Sequence, residues 1–200
     1  MKVRSLSAQF DQETVLRVRA IQQRVSAIQQ LGVVPRYLAV EVARCLEAGL
    51  LLAGLQVICG VLEFAVRKAR VKTRDARNAA ASHVDRARHA SALLTEVEND
   101  RQLTFGPMLQ QLVAQSVLTS EEAAIMQDIY RTVRIPLHHG ILGQYVRKRS
   151  DTTTLSLLGQ LGLHPALDSR RFEEEIENHA LGEIDTILTQ IELLYRKGTV

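Results

Sequence analysis

Apolar side chains recur at three- and four-residue spacing through most of the chain. Val15, Val18, Ile21, Val25 and Ile28 alternate with the wet positions Arg17, Arg19, Gln22, Gln23 and Gln29. That pattern predicts an amphipathic helix over 11–31. Asp11 can cap its first turn, and Gly32 and Pro35 mark its stop and the next start. A second helix is expected over 35–47, with Leu38, Val42, Cys45 and Leu46 inward and Gly49 as its break. A third, over about 51–70, is apolar nearly all round and therefore belongs at the centre of a bundle. Gln56 and Glu63 are its polar residues. A buried carboxylate is costly without a cation or donors beside it; at a bundle edge, water would solvate Glu63 instead.

From Arg67 to His89 the chain turns basic, with Arg67, Lys68, Arg70, Lys72, Arg74, Arg77, Arg86 and Arg88 set against Asp75 and Asp85. The alanine-rich run over 74–100 is expected to be a weakly amphipathic helix, either a solvated arm or a surface that tracks phosphates. It has no interleaved aromatics for base stacking, which disfavours sequence-specific readout of a single strand. Gly106-Pro107 begins another helix, with Met108, Leu109, Leu112 and Val113 inward. Ser120, followed by Glu121 and Glu122, reads as the cap of the next. Ala124, Ile125, Ile129 and Val133 carry that helix onward. A polar loop over 146–154 and a short connection over 155–169 lead to a last helix over 171–197. Its inward set is Phe172, Ile176, Leu181, Ile184, Ile187, Leu188, Ile191 and Leu194. These elements make an all-α bundle of about five to seven helices. Residues 1–34 supply an N-terminal helix and 35–200 the bundle, as one compact domain.

Composition changes this picture little. Tryptophan is absent and helix-forming residues are plentiful across the 200 residues. A formal net charge of +3 does not by itself require a nucleic-acid partner. Cys45 and Cys59 lack metal-site and redox-motif spacing and read as small apolar residues. No carboxylate cluster points to Mg²⁺ and no Cys/His set to Zn²⁺, so no metal or other cofactor is expected. His83, His89, His164 and His179 have no ligand partner nearby in sequence. The apolar run over 48–66 is long enough to span a membrane. Three glycines, Gln56 and Glu63 interrupt it, however, and no signal-peptide core precedes it. A cytoplasmic protein with no membrane association is expected.

The candidate chemistry is concentrated in Arg131-Thr132-Val133-Arg134-Ile135-Pro136-Leu137-His138-His139-Gly140. A guanidinium can grip a phosphate through two donors, and an imidazole exchanges protons near neutrality. Pro136 has no N–H and its ring collides with the preceding turn, so the helix should kink or restart near Ile135. On a continuous helix His138 shares a face with Arg134 and with Arg131. Across a kink Arg134 and His139 converge instead.

The spacing resembles the HEPN superfamily, whose signature is an arginine, four to six residues, then a histidine. Arg134 to His139 fits with four between, and Arg131 to His138 with six. The stretch Ala43-Arg44-Cys45-Leu46-Glu47-Ala48-Gly49 and the apolar helix ending Val61-Leu62-Glu63 resemble the helical hairpin of such proteins. Phe105-Gly106-Pro107-Met108-Leu109 through Leu118-Thr119 follows the same layout. The resemblance covers about residues 35–145. It implies a HEPN-like bundle and a metal-independent endoribonuclease of a toxin or defence system. Such a protein acts on RNA as a homodimer with two motifs in one cleft, and an antitoxin or other protein partner is implied. The site residues would be Arg134 and His139, with His138 and Arg131 in support and Glu63 orienting Arg134. Two positions depart from the family pattern. Ile135 stands where active members commonly carry a polar residue after the arginine. Ile141 stands where a modifiable tyrosine occurs in some toxins.

Three readings are therefore carried forward. One is a ribonuclease using Arg134 and His139. Another is a catalytically inactive HEPN-like module that binds RNA or a protein. The last is an unrelated helical scaffold whose Arg/His stretch is a wet helix edge.

Overall fold

The computed structural model describes residues 10–30, 36–75, 82–99, 104–139 and 169–197. The chain is all-α, and no strand occurs among the described residues. Helix α1 (Gln12–Gln30) starts where Asp11 Oδ1 accepts the Thr14 N–H at 2.7 Å. Helix α2 (Arg36–Glu47) ends in a turn with Gly49 at φ 72°. There the Leu50 N–H donates to the Cys45 carbonyl at 2.8 Å and the Gly49 N–H to Leu46 at 3.1 Å. This is the Schellman closure, and its left-handed residue is one that glycine adopts without steric cost. The chain reverses there and α3 (Leu51–Asp75) packs back against α2.

Helix α3 is the axis of the bundle, touching α2, α4 (His83–Asn99), α5 (Phe105–Ala114) and the last helix, α8 (Ser169–Arg196). Leu55, Ile58, Cys59, Leu62, Ala65 and Val66 are sealed in its core. Each fully buried Leu or Ile contributes about 1.5–3 kcal/mol relative to exposure. The helix runs five residues past the expected end at 70, because Val71 is also buried and Thr73 Oγ donates back to the Ala69 and Arg70 carbonyls. The basic helix expected over 74–100 is accordingly divided. Its first residues finish α3, and α4 restarts where Ser82 Oγ accepts the Asp85 N–H at 3.2 Å. Helix α4 buries Leu93 and leaves Val84 exposed.

Helix α6 (Ser120–Ile129) is capped by Thr119, not by the expected Ser120. Thr119 Oγ accepts the Glu122 N–H at 3.1 Å and Glu122 accepts the Thr119 N–H at 2.7 Å. Only from Thr119 does a Glu fall three residues on, as the reciprocal box needs. Met126, Ile129 and Val133 face inward, whereas Ala124 and Ile125 of the expected inward set are exposed. Helix α6 passes into a π-helical turn (Tyr130–Arg134) and a last short helix, α7 (Ile135–His138).

Along α8 the residues Ile184, Ile187, Leu188, Ile191 and Leu194 are fully buried, and the helix lies along α3. Arg24 of α1 locks onto it. Its Nε and Nη2 meet the two Glu192 oxygens at 2.8 and 3.0 Å, Nη2 also reaches Thr189, and Nη1 pairs with Asp185. Gly32, Pro35, Ile141, His164 and the segments 146–154 and 155–168 lie outside the described residues. So do the side chains of Arg74, Arg77, His83, Arg86, Phe172 and Ile176. No helix among the described residues is long and apolar enough to cross a membrane.

Candidate functional site

Pro136 determines the local backbone of the Arg/His stretch. In a regular α-helix its missing N–H would leave the Thr132 carbonyl without a donor, and its ring would press on that carbonyl. The π-helical turn over Tyr130–Arg134 lies immediately before it, and the Ile135 N–H donates to Tyr130 five residues back. The extra residue per turn widens the helix where the ring needs room. The expected interruption near Ile135 therefore takes the form of a bulge, and the helical path continues to His138. Tyr130 stacks on Phe105 with ring centroids 4.6 Å apart, which fixes the start of the bulge against α5.

The two polar residues of α3 both reach this segment. Glu63 Oε1 accepts the Arg134 Nε–H at 2.5 Å, and its side chain is only 16 % exposed against 24 % for Arg134. Two turns earlier, Gln56 Nε2 donates to the Leu137 carbonyl at 3.2 Å. That carbonyl belongs to the last helical turn, whose acceptors need partners from outside the helix. Glu63 is thus neither an unpaired buried charge nor a freely solvated edge residue. Its second oxygen lies 3.6 Å from Arg67 Nη2, one turn along α3.

The four motif cations and imidazoles occupy different surroundings. Arg134 is anchored through Nε, and its two Nη groups make no hydrogen bond to any described residue. Arg131 is 69 % exposed and pairs loosely with Asp128 at 3.5 Å, so it does not join Glu63. His138 and His139 are both exposed and meet edge to face at 5.2 Å. No hydrogen bond or ion pair links either imidazole to Arg131, Arg134 or Glu63. The arrangement is a fixed guanidinium, its outer edge unbonded among the described residues, on the same short helical segment as two exposed proton-exchanging rings.

Sequence reasoning assigned no role here to Arg67 or Gln56. For both the signal was available as spacing: Gln56, Glu63 and Arg67 fall seven and four apart, on one face of α3. Burial, followed by the neighbouring Lys72, pulls the Lys68 ammonium below its ordinary lysine value. Among the described residues no group of three His, Cys, Asp or Glu could hold a metal ion. Cys45 and Cys59 are buried and form no disulfide, and burial, followed by Glu41, pushes Cys45 above the usual thiol value. Compared with known proteins, the chain matches no family model, no curated protein and no solved structure.

Proposed function

We propose that this chain is a HEPN-like, metal-independent endoribonuclease of a toxin or defence system, acting in the cytoplasm as a homodimer. The observation that supports this most directly is Arg134. Its Nε is fixed to Glu63 while its Nη edge makes no hydrogen bond to any described residue, a few residues from the exposed His138 and His139. A guanidinium held in this way loses little freedom when it meets a phosphate, and it can stabilise the charge of a phosphorane. His139 in its neutral form takes the proton of a ribose 2′-hydroxyl. The 2′-oxygen then attacks the adjacent phosphorus, and the 5′-oxygen leaves and is protonated. The products are a 2′,3′-cyclic phosphate and a 5′-hydroxyl. His138 and Arg131 support proton return and phosphate attraction, and an antitoxin or other protein partner would cover this face.

One observation favours a second reading, a non-catalytic HEPN-like module that binds RNA or a protein. No described residue orients either imidazole by a hydrogen bond, and Ile135 rather than a polar residue follows Arg134. In that case the Glu63–Arg134 and Gln56–Leu137 contacts serve to clamp the bulged helix to α3. The two are separated by incubating purified protein with mixed RNA in EDTA and analysing the new 3′ ends. Cyclic phosphate termini appearing in proportion to protein support the ribonuclease. Intact RNA with a folded, dimeric protein supports the binding module.

A further inference from the structure

The carboxylate of Glu63 is shared by two arginines from different elements. Arg134, on the π-helical turn, is hydrogen-bonded to Oε1 at 2.5 Å, and Arg67, on α3, stands 3.6 Å from Oε2. One negative charge therefore faces two positive ones, and the trio carries a net excess of one positive charge. The two contacts are unequal. Arg134 is held by a hydrogen bond at a site little open to water, whereas the Arg67 side chain is 37 % exposed and beyond hydrogen-bond distance. An ion pair of the second kind is weak and screened by salt, so Arg67 can exchange its partner at little cost. Arg134 cannot turn without breaking its anchor, and it offers only its Nη edge.

We infer that Arg67 and Arg134 form a two-arginine phosphate clamp around Glu63, in which Arg134 is the fixed jaw and Arg67 the mobile one, and that the clamp takes a backbone phosphate of single-stranded RNA. The inference rests on the RNA reading proposed above. A phosphodiester carries one negative charge, which matches the unbalanced charge of the trio. Guanidinium forks suit its tetrahedral oxygens, and a second arginine lets the site take a phosphate between two donor edges. Glu63 remains behind the clamp as a positioning residue. It holds the two like charges together and keeps the Arg134 Nε side occupied, so that the phosphate meets the Nη edge. Arg67 is then a binding residue on the central helix, outside the Arg/His stretch.

The test measures binding of a fluorescent oligouridylate by anisotropy across a salt series. His139→Ala serves as the uncut background, with Arg67→Gln and Arg67→Lys added to it. Each phosphate contact contributes about 0.7 to the slope of log K against log salt for a single strand. Arg67→Gln should lower the slope by about 0.7 and weaken binding about tenfold at moderate salt. Arg67→Lys should keep the slope and recover only part of the affinity. Circular dichroism melts check that both variants are folded, and a purely structural role would not move the slope. RNA bound with unchanged slope and affinity by Arg67→Gln would overturn the clamp and leave the RNA reading intact. An Arg67-dependent slope with no cleavage by wild type would uphold the clamp and remove the ribonuclease. Failure of the background protein to bind RNA at all would remove both.

Discussion

Replacing Glu63 by Gln keeps the side chain's shape and removes the charge that holds Arg134. The magnitude follows from where the pair sits. Exposed ion pairs contribute about 0–1 kcal/mol, and breaking a buried one costs about 3–5 kcal/mol. With side chains 16 % and 24 % exposed, Glu63 and Arg134 lie between those limits. Hydrogen bonds to charged groups contribute about 1.5–3 kcal/mol, so a coupling of about 2 kcal/mol is expected. In a chain of this size that corresponds to a melting temperature about 4–8 °C lower for Glu63→Gln. The assay is a double-mutant cycle of Glu63→Gln and Arg134→Gln, read by urea unfolding with the slope held common. The cycle cancels the weaker contact of Glu63 with Arg67, because that contact is lost with Glu63 whether or not Arg134 is present. A coupling under about 0.5 kcal/mol, the additivity of sites that do not touch, would refute the idea that Glu63 fixes the arginine.

Other perturbations have equally definite outcomes. Arg24→Lys should destabilise the chain by about 1–3 kcal/mol in urea unfolding, because an ammonium cannot reproduce the two-oxygen grip on Glu192. Leu55→Ala should cost about 2–5 kcal/mol with an unchanged denaturant slope, since Leu55 is fully buried on α3. Glu122 gives a pH signature. The Lys197 hydrogen bond, at 2.6 Å, and then the Thr119 backbone hold its carboxyl below the ordinary value of 4.5. The folded value lies below the unfolded one, so the stabilisation is fully present above the unfolded value and lost as pH falls through the folded one. Glu122→Gln should therefore melt below wild type at pH 7, and the difference should shrink on acidification below about pH 4.5.

The helices and their inward faces were legible because burial repeats with the helical period. Asp11, Gly49 and Gly106-Pro107 mark real boundaries, as each offers a cap, a left-handed turn or a rigid start that the backbone uses. The cap of α6 was read one residue late, at Ser120, although only Thr119 has a Glu at the third following position. The end of α3 was not legible. Its last turns carry charged residues that read as a separate basic segment, although Val71 among them is buried. The exposed Ile125 was hidden because a spacing of four to Ile129 and Val133 matches a core stripe, while Met126 takes the inward position. At the site, Pro136 signals an interruption but not its form. Arg131 and Arg134 both lie within the π-helical turn and end in different surroundings, one beside the exposed Asp128 and the other on Glu63. Polar residues on an apolar helix, Gln56 and Glu63, proved the most informative signal, because each needed a partner and both found it in the Arg/His segment.

The proposal stands most directly on Arg134 and His139 acting together. Wild type, Arg134→Ala and His139→Ala should be compared on the same mixed RNA in EDTA, each shown to be folded by circular dichroism and matched in oligomeric state. The ribonuclease requires cleavage by wild type that falls at least about a hundredfold in His139→Ala, the scale of a lost general base, with a comparable fall in Arg134→Ala. Cleavage undiminished in both folded variants would place the chemistry elsewhere and contradict the assignment.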